Sequence, residues 1–285
     1  MSTNVERAVR EHDDLTRELR DVKARLSAIE ASRWWRLNPR VALRKLRGDA
    51  DNDAAEPIRK HAYPVDFGDD DIEICRRVAP YTMTTPPRIY ALIRAVEYVI
   101  ARNIPGALVE CGVWRGGSMM AAALTLLRRG ITDRDLYLFD TFSGMTPPTD
   151  LDRKPSGERA ADLLETEARD ADVWAIASLE EVREAVLAVG YPPERIHFVE
   201  GPVEETLPGD APGEIGLLRL DTDWYESTKH ELVHLYPRLV HGGVLILDDY
   251  GFWQGARRAV DEYFDAHDEP LLNRIDHTGR IGLKQ

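Results

Sequence analysis

Two acidic pairs have the residue types and positions to do chemistry together. Asp221-Thr222-Asp223 follows the apolar run Ile215 to Leu220, and Asp248-Asp249 follows Val244 to Leu247. Short uninterrupted apolar runs predict strands buried on both faces of a parallel sheet, whose neighbouring ends lie about 5 Å apart. Four carboxylates so placed repel one another unless a cation or protons neutralise them. An oxygen-only donor set suits a hard ion such as Mg²⁺, with Asp221, Asp248 and Asp249 as expected ligands. Asp221 or Asp223 is then the expected base for a hydroxyl proton. The same acids can instead cap helices starting near Glu226 and Gly255, or pair with Arg257 and Arg258.

A second constellation lies upstream. Glu110-Cys111-Gly112-Val113-Trp114-Arg115-Gly116-Gly117-Ser118 ends the run Ala107 to Cys111 and opens a helix of small and apolar residues. Its glycines let the backbone turn sharply and approach a ligand, while amides at the helix start can meet a carboxylate or phosphate. The spacing differs from the dinucleotide G-x-G-x-x-G. Asp140 ends the next run, Leu136 to Asp140, where doubly wound nucleotide folds place an acid for ribose hydroxyls. The turn and the acid together predict an adenosyl cofactor. His197, mid-strand, reads as a packed core residue, and His230 sits within a helix, so neither is assigned a role.

The elements that must position these residues are strands at 107–111, 136–140, 196–199, 215–220 and 244–247. Helical stretches near 116–130, 178–189, 226–239 and 255–267 intervene, and a helix led by Pro86 and Pro87 precedes them. This predicts an α/β fold with a doubly wound, mostly parallel sheet and ligands at the strands' carboxyl ends. Leu271 to Leu283, with Thr278-Gly279 as a turn, predicts an antiparallel edge hairpin.

With 285 residues, 43% of them hydrophobic, the chain supports one full-sized catalytic core, expected at 72–285. Residues 48–71 are acidic and read as a solvated linker. In the arm at 1–47, Leu15, Leu19, Val22, Leu26 and Ile29 form a heptad seam that predicts a short coiled coil and a homo-oligomer. The basic, tryptophan-bearing stretch at 32–47 suits a peripheral membrane surface, a glycosyltransferase complex or the protein's own acidic body. Fifty acidic against 37 basic residues, a net charge of -13, disfavour nucleic acid as a partner. Only Cys75 and Cys111 occur, and no apolar run is long enough for a membrane span or signal peptide, so the expected location is cytoplasmic.

Across roughly residues 78 to 266 the chain resembles the macrocin O-methyltransferase family of bacterial sugar O-methyltransferases. The motifs are Tyr81-Thr82-Met83-Thr84, Val109 to Ser118, Phe139-Asp140-Thr141-Phe142-Ser143-Gly144-Met145, Leu218 to Asp223, Tyr225-Glu226-Ser227-Thr228 and Gly242-Gly243 through Asp248-Asp249-Tyr250. The resemblance implies a class I S-adenosylmethionine methyltransferase. Glu110 through Gly116, with Ser118, Asp140 and Ser143, would meet the cofactor, and Asp221, Asp248 and Asp249 would hold Mg²⁺. It implies one carboxylate of the Asp-x-Asp pair as base, without settling which. Tyr81 through Arg88 would close over the site, with Met83 lining the methyl pocket. The implied acceptor is a sugar hydroxyl of a glycoside or glycan, and Trp224, Tyr225, Trp253 and Gln254 are expected to stack on and hydrogen-bond a pyranose ring. A catechol-type phenol methyltransferase and a noncatalytic assembly protein of a glycan-synthesis complex remain alternatives.

Overall fold

A computed structural model describes residues 63–168 and 171–285. The heptad seam and the basic tryptophan stretch lie outside them. A division of the chain falls between Arg59 and Lys60, and the fold described below belongs to the second unit.

Helix α1, Asp69–Val78, opens with Asp69, Asp70 and Asp71 and closes on Arg76 and Arg77, the charge order that the helix dipole favours. The acidic run expected to finish a linker at residue 71 is therefore the first turn of a helix. Asp71 accepts from the Gly68 amide at 3.2 Å and pairs with Arg128 at 2.9 Å. Helix α2, Pro86–Ala101, carries prolines in its first turn, where an amide would have no helical partner.

Seven strands follow: β1 (Ala107–Cys111), β2 (Leu136–Asp140), β3 (Ile196–Glu200), β4 (Ile215–Leu220), β5 (Leu239–Leu247), β6 (Asn273–Arg274) and β7 (Arg280–Leu283). They lie in the order β3-β2-β1-β4-β5-β7-β6. The first five are parallel, and the C-terminal hairpin adds its strands antiparallel, as its turn signal predicts. Strand order reverses between β1 and β4, which places the switch point beside both acidic constellations.

The remaining helices are α3 (Gly117–Arg128), α4 (Ala160–Thr166), α5 (Leu179–Leu187), α6 (Val203–Thr206), α7 (Tyr225–Leu235) and α8 (Gln254–Phe264). Alternation along the strands divides the core in two. Leu108, Leu138, Leu217 and Ile246 face α1, α2, α3 and α5, whereas Val109, Leu218, Leu245 and Leu247 face α6, α7 and α8. The helix expected at 226–239 stops at Leu235, because Pro237 supplies no amide for another turn and Leu239 already starts β5. Beyond the strand ends a third cluster packs Leu164 of α4 against Trp224, Trp253 and Ala256. Among the described residues no helix is long and apolar enough to cross a membrane.

Candidate active site

Glu110 and Arg219 occupy facing positions on the neighbouring strands β1 and β4. Arg219 Nη1 donates to Glu110 Oε1 at 2.5 Å. Its Nη2 donates to Thr84 Oγ1 at 3.1 Å and forms ion-pair contacts with Asp221 Oδ2 at 3.0 Å and Asp248 Oδ1 at 2.9 Å. Arg88, from the first turn of α2, donates to the other oxygen of Asp248, while its Nε lies 3.2 Å from Asp276 Oδ2. Both oxygens of Asp248 thus face guanidinium groups. The countercharge that the clustered acids need comes in part from two buried arginines, and not from Arg257 and Arg258, which pair with Asp261 and Glu262 on their own helix.

Burial pushes the Glu110 carboxyl up to about 8; Arg219 opposes that shift and Asp221 and Asp248 reinforce it. Burial also raises the Asp248 carboxyl, but Arg219 and Arg88 outweigh it and hold that group below its ordinary value. Glu110 is therefore largely protonated near neutrality and Asp248 ionised. Its raised pKa means that the folded state holds a proton between about 4.5 and 8 that the unfolded state has lost, so this group's contribution to stability falls as pH rises through that window. Glu110→Gln should consequently gain stability over the parent progressively from pH 5 to pH 8 in parallel thermal melts. A constant difference across that range would refute the assignment.

Asp223 adopts φ +69°, and Trp114 and Phe142 are also left-handed at +49°. All three lie just past the carboxyl ends of β4, β1 and β2, and backbone strain of this kind gathers at functional sites. Asp223 Oδ1 accepts from Trp253 Nε1 at 2.6 Å. The β1 turn crosses directly over the Asp-x-Asp loop: a Cβ on Gly112, at φ +84°, would sit 2.1 Å from the Asp221 carbonyl. Gly116, at φ +88°, is the N-cap of α3 and has no side chain to cap it, and among the described residues no other side chain hydrogen-bonds the helix's first-turn amides. Glu110 Oε2 is buried beside this turn with no hydrogen-bond partner.

Asp140 Oδ2 accepts from the Val113 and Trp114 amides at 2.7 and 2.9 Å, and Oδ1 from the Phe142 amide at 2.7 Å. Burial raises its pKa, and these amides oppose the shift. A carboxylate offers about four acceptor positions, so a ribose hydroxyl would share this group with the turn that it clasps.

The other residues expected at the cofactor are placed unequally. The Cys111 side chain, like Val109 two residues earlier, lies in the core facing α7 and α8, on the opposite face from Glu110, so only its backbone borders the turn. Val113 is buried and presents its amide, and Ser118 is buried in the first turn of α3. Arg115 is exposed, with its guanidinium 4.9 Å from the Trp114 ring centroid. Ser143 is exposed in the loop after β2. Met83 is half-buried in a segment that is anchored on the site by Thr84 and Arg219. That segment also lies against the start of α3, where a Cβ on Gly117 would meet the Tyr81 carbonyl at 2.5 Å.

The expected sugar platform needs correction. Trp224 and Trp253 are buried and pack edge to face at 5.0 Å, and Tyr225 is buried with its hydroxyl on Glu262. Trp224 and Trp253 pack with Leu164 of α4, and none of the three aromatics stands exposed beyond the strand ends. Gln254 donates to the Lys154 carbonyl at 2.8 Å. His197 also departs from expectation: it lies half-buried on edge strand β3, stacks on Tyr137 and contacts Asp135 Oδ1 at 3.0 Å. Arg88 and Arg219 lie within the quoted segments but are given no role there, and Asp276 and Asp152 fall outside every motif. Asp152 accepts from the Tyr225 amide at 2.7 Å, which is the capping role considered for the Asp-x-Asp pair.

Strand order brings Asp221, Asp248 and Asp249 to neighbouring ends, yet among the described residues no group of three or more His, Cys, Asp or Glu is arranged to hold a metal ion. The donor chemistry suits a hard cation. Glu110, Asp221, Asp223, Asp248, Asp249 and Asp276 outnumber Arg88 and Arg219, even with Glu110 protonated. The obstacle is arrangement, because Asp248 is committed to both arginines.

Residues 27–281 match the family described as Macrocin-O-methyltransferase (TylF). The 8-demethyl-8-(2,3-dimethoxy-alpha-L-rhamnosyl)-tetracenomycin-C 4'-O-methyltransferase of Streptomyces olivaceus is 36% identical over 201 residues, covering 70% of this chain and 74% of that protein. Demethyldecarbamoylnovobiocin O-methyltransferase of Streptomyces niveus is also 36% identical, over 202 residues, with the same coverage of 70% and 74%. The solved structure of the O-methyltransferase NovP superposes with a TM-score of 0.61 at 35% identity, covering 72% of this chain and 82% of that one.

Proposed function

Because the chain belongs to the macrocin O-methyltransferase family and methylates hydroxyl groups, we propose that it transfers the methyl of S-adenosylmethionine to a sugar hydroxyl of a glycoside or glycan. The observation that carries this reading is the juxtaposition, at the switch point, of the uncapped start of α3 with the acid cluster at the ends of β4 and β5. A relative whose name specifies a rhamnosyl acceptor supports the sugar.

In this reading the amides at the start of α3 receive the cofactor's carboxylate, and Glu110, giving up its proton as the ammonium group arrives, accepts from that group through its buried Oε2. Asp140, holding the turn closed, shares its remaining acceptor capacity with the ribose. The acceptor oxygen forms a bond to the methyl carbon as the carbon–sulfur bond breaks. The electron pair stays on sulfur, giving a neutral thioether that needs no acid, and the hydroxyl proton passes to a carboxylate of the Asp-x-Asp pair. Asp221 is the better placed base, being half-buried with Arg219 on its Oδ2, whereas Asp223 is buried and accepts from Trp253.

Asp221, Asp248 and Asp249 are the residues that would hold Mg²⁺, which when bound supplies a lowered hydroxyl pKa. The surplus of acidic groups supports including it.

Calorimetry with S-adenosylmethionine tests the cofactor assignment. Asp140→Ala should weaken binding about tenfold or more, because both the turn and the ribose contact depend on that carboxylate. Unchanged affinity in a folded variant removes Asp140 from the site.

A further inference from the structure

The register of the C-terminal hairpin places an unusual charge beside the acid cluster. Arg280 on β7 lies opposite Leu247, the residue before Asp248, and Arg274 on β6 lies directly opposite Arg280. Like charges facing each other across an antiparallel pair destabilise it, so two facing arginines need an anion or a carboxylate. Among the described residues neither arginine forms a side-chain ion pair, and the Asp276 carboxylate, which favours the charge on Arg280, is itself engaged by Arg88. Arg280 is 9% exposed and donates Nη1 to the backbone carbonyls of Gly279 at 2.8 Å, Thr278 at 3.3 Å and Asp276 at 3.4 Å. Its guanidinium lies 5.0 Å from the Tyr250 ring centroid, with that of Arg257 5.6 Å away from the same ring. Burial, and then Arg274, lower the Arg280 pKa against the opposing pull of Tyr250 and Asp276.

These residues border a cleft of about 830 Å³ that also takes in Arg153, Arg258 and Trp253. Its volume is within the range of sites that hold cofactor-sized molecules. Of its acids, Asp261 and Glu262 are held by Arg257 and Arg258, and Asp150 and Asp265 are exposed to water. Tyr250, which follows Asp249, and Trp253, which donates to Asp223, both line the cleft, so it lies beside the acid cluster.

We propose that this cleft binds the phosphate or diphosphate of a phosphorylated sugar, with Arg274 and Arg280 as the anion's principal donors. The proposal rests on the sugar O-methyltransferase reading and narrows its substrate class: the acceptor is methylated while it still carries its anionic activating group. A nucleoside diphosphate sugar and a polyprenyl-diphosphate-linked glycan present the same chemistry to these arginines.

Calorimetry on the full chain with S-adenosylhomocysteine bound provides the test. Inorganic pyrophosphate should bind more tightly than sulfate, and Arg274→Gln and Arg280→Gln should each weaken it about tenfold or more. Arg274 is exposed, so its variant tests the site even if Arg280→Gln fails to fold. UDP-glucose binding that depends on Arg274 identifies a soluble carrier; Arg274-dependent sedimentation with vesicles containing undecaprenyl diphosphate identifies a lipid carrier. Either result supports the proposal. It is overturned if Arg274→Gln leaves pyrophosphate affinity unchanged, or if neither carrier binds. Loss of S-adenosylhomocysteine binding by the parent would instead strike the methyltransferase reading, since that measurement does not involve the cleft.

Discussion

Arg219→Met is expected to destabilise the fold by about 3–5 kcal/mol, the range for leaving buried charges without their partner. The side chain is 3% exposed and contacts Glu110, Asp221 and Asp248 together. Methionine fills similar space without countercharge, so the loss reports electrostatics more than a cavity. Chemical denaturation at pH 7 measures it, and Arg219→Lys separates charge from the forked geometry: a lysine keeps the charge but cannot reach several partners as a fixed planar group. A loss below about 1 kcal/mol for methionine would show that the acids are compensated by other means, with Arg88 the obvious source.

The sheet was legible because its strands are short apolar runs, and both glycine turn and acid pairs sit at their ends. The acids lie at neighbouring strand ends, as their positions after apolar runs imply, whereas the part that Arg88 and Arg219 take in balancing them is not evident from those positions. Arg219 and Glu110 each interrupt an apolar run with a charge, and two opposite charges inside buried parallel strands are a signal for a cross-strand pair once strand order is known. That order is not printed in any local pattern. Arg88 and Asp276 were less accessible still, since they meet across 188 positions through the packing of α2 on the C-terminal hairpin (276 - 88 = 188). Trp224 and Trp253 misled for a related reason. Large aromatics beside a site resemble a sugar platform in sequence, whereas here their indole N–H groups are spent on Thr146 and Asp223 and the two rings pack edge to face in a buried cluster. Asp69 to Asp71 have the composition of a linker, yet the helix dipole favours acids in a first turn, and that is where they lie.

Asp248→Asn should lower kcat by roughly 10²-fold or more, the scale associated with losing an acid–base or charge-organising group from a transition state. The carboxylate faces both Arg88 and Arg219, so the amide would repel at least one guanidinium and release Arg219 from the geometry it shares with Asp221. Asp249→Asn, on the next residue, should act in the same direction. S-adenosylmethionine affinity should stay within a few-fold for both variants, because the contacts assigned to the cofactor lie on β1, β2 and α3. Treatment of the wild type with EDTA should abolish turnover and Mg²⁺ should restore it, while the Asp248 variant should regain nothing at any Mg²⁺ concentration. The chelation result separates two ways of balancing the same acids. If thoroughly metal-free enzyme keeps full activity while Asp248→Asn does not, the guanidiniums of Arg88 and Arg219 supply all the countercharge, and Asp221 works as an unaided base.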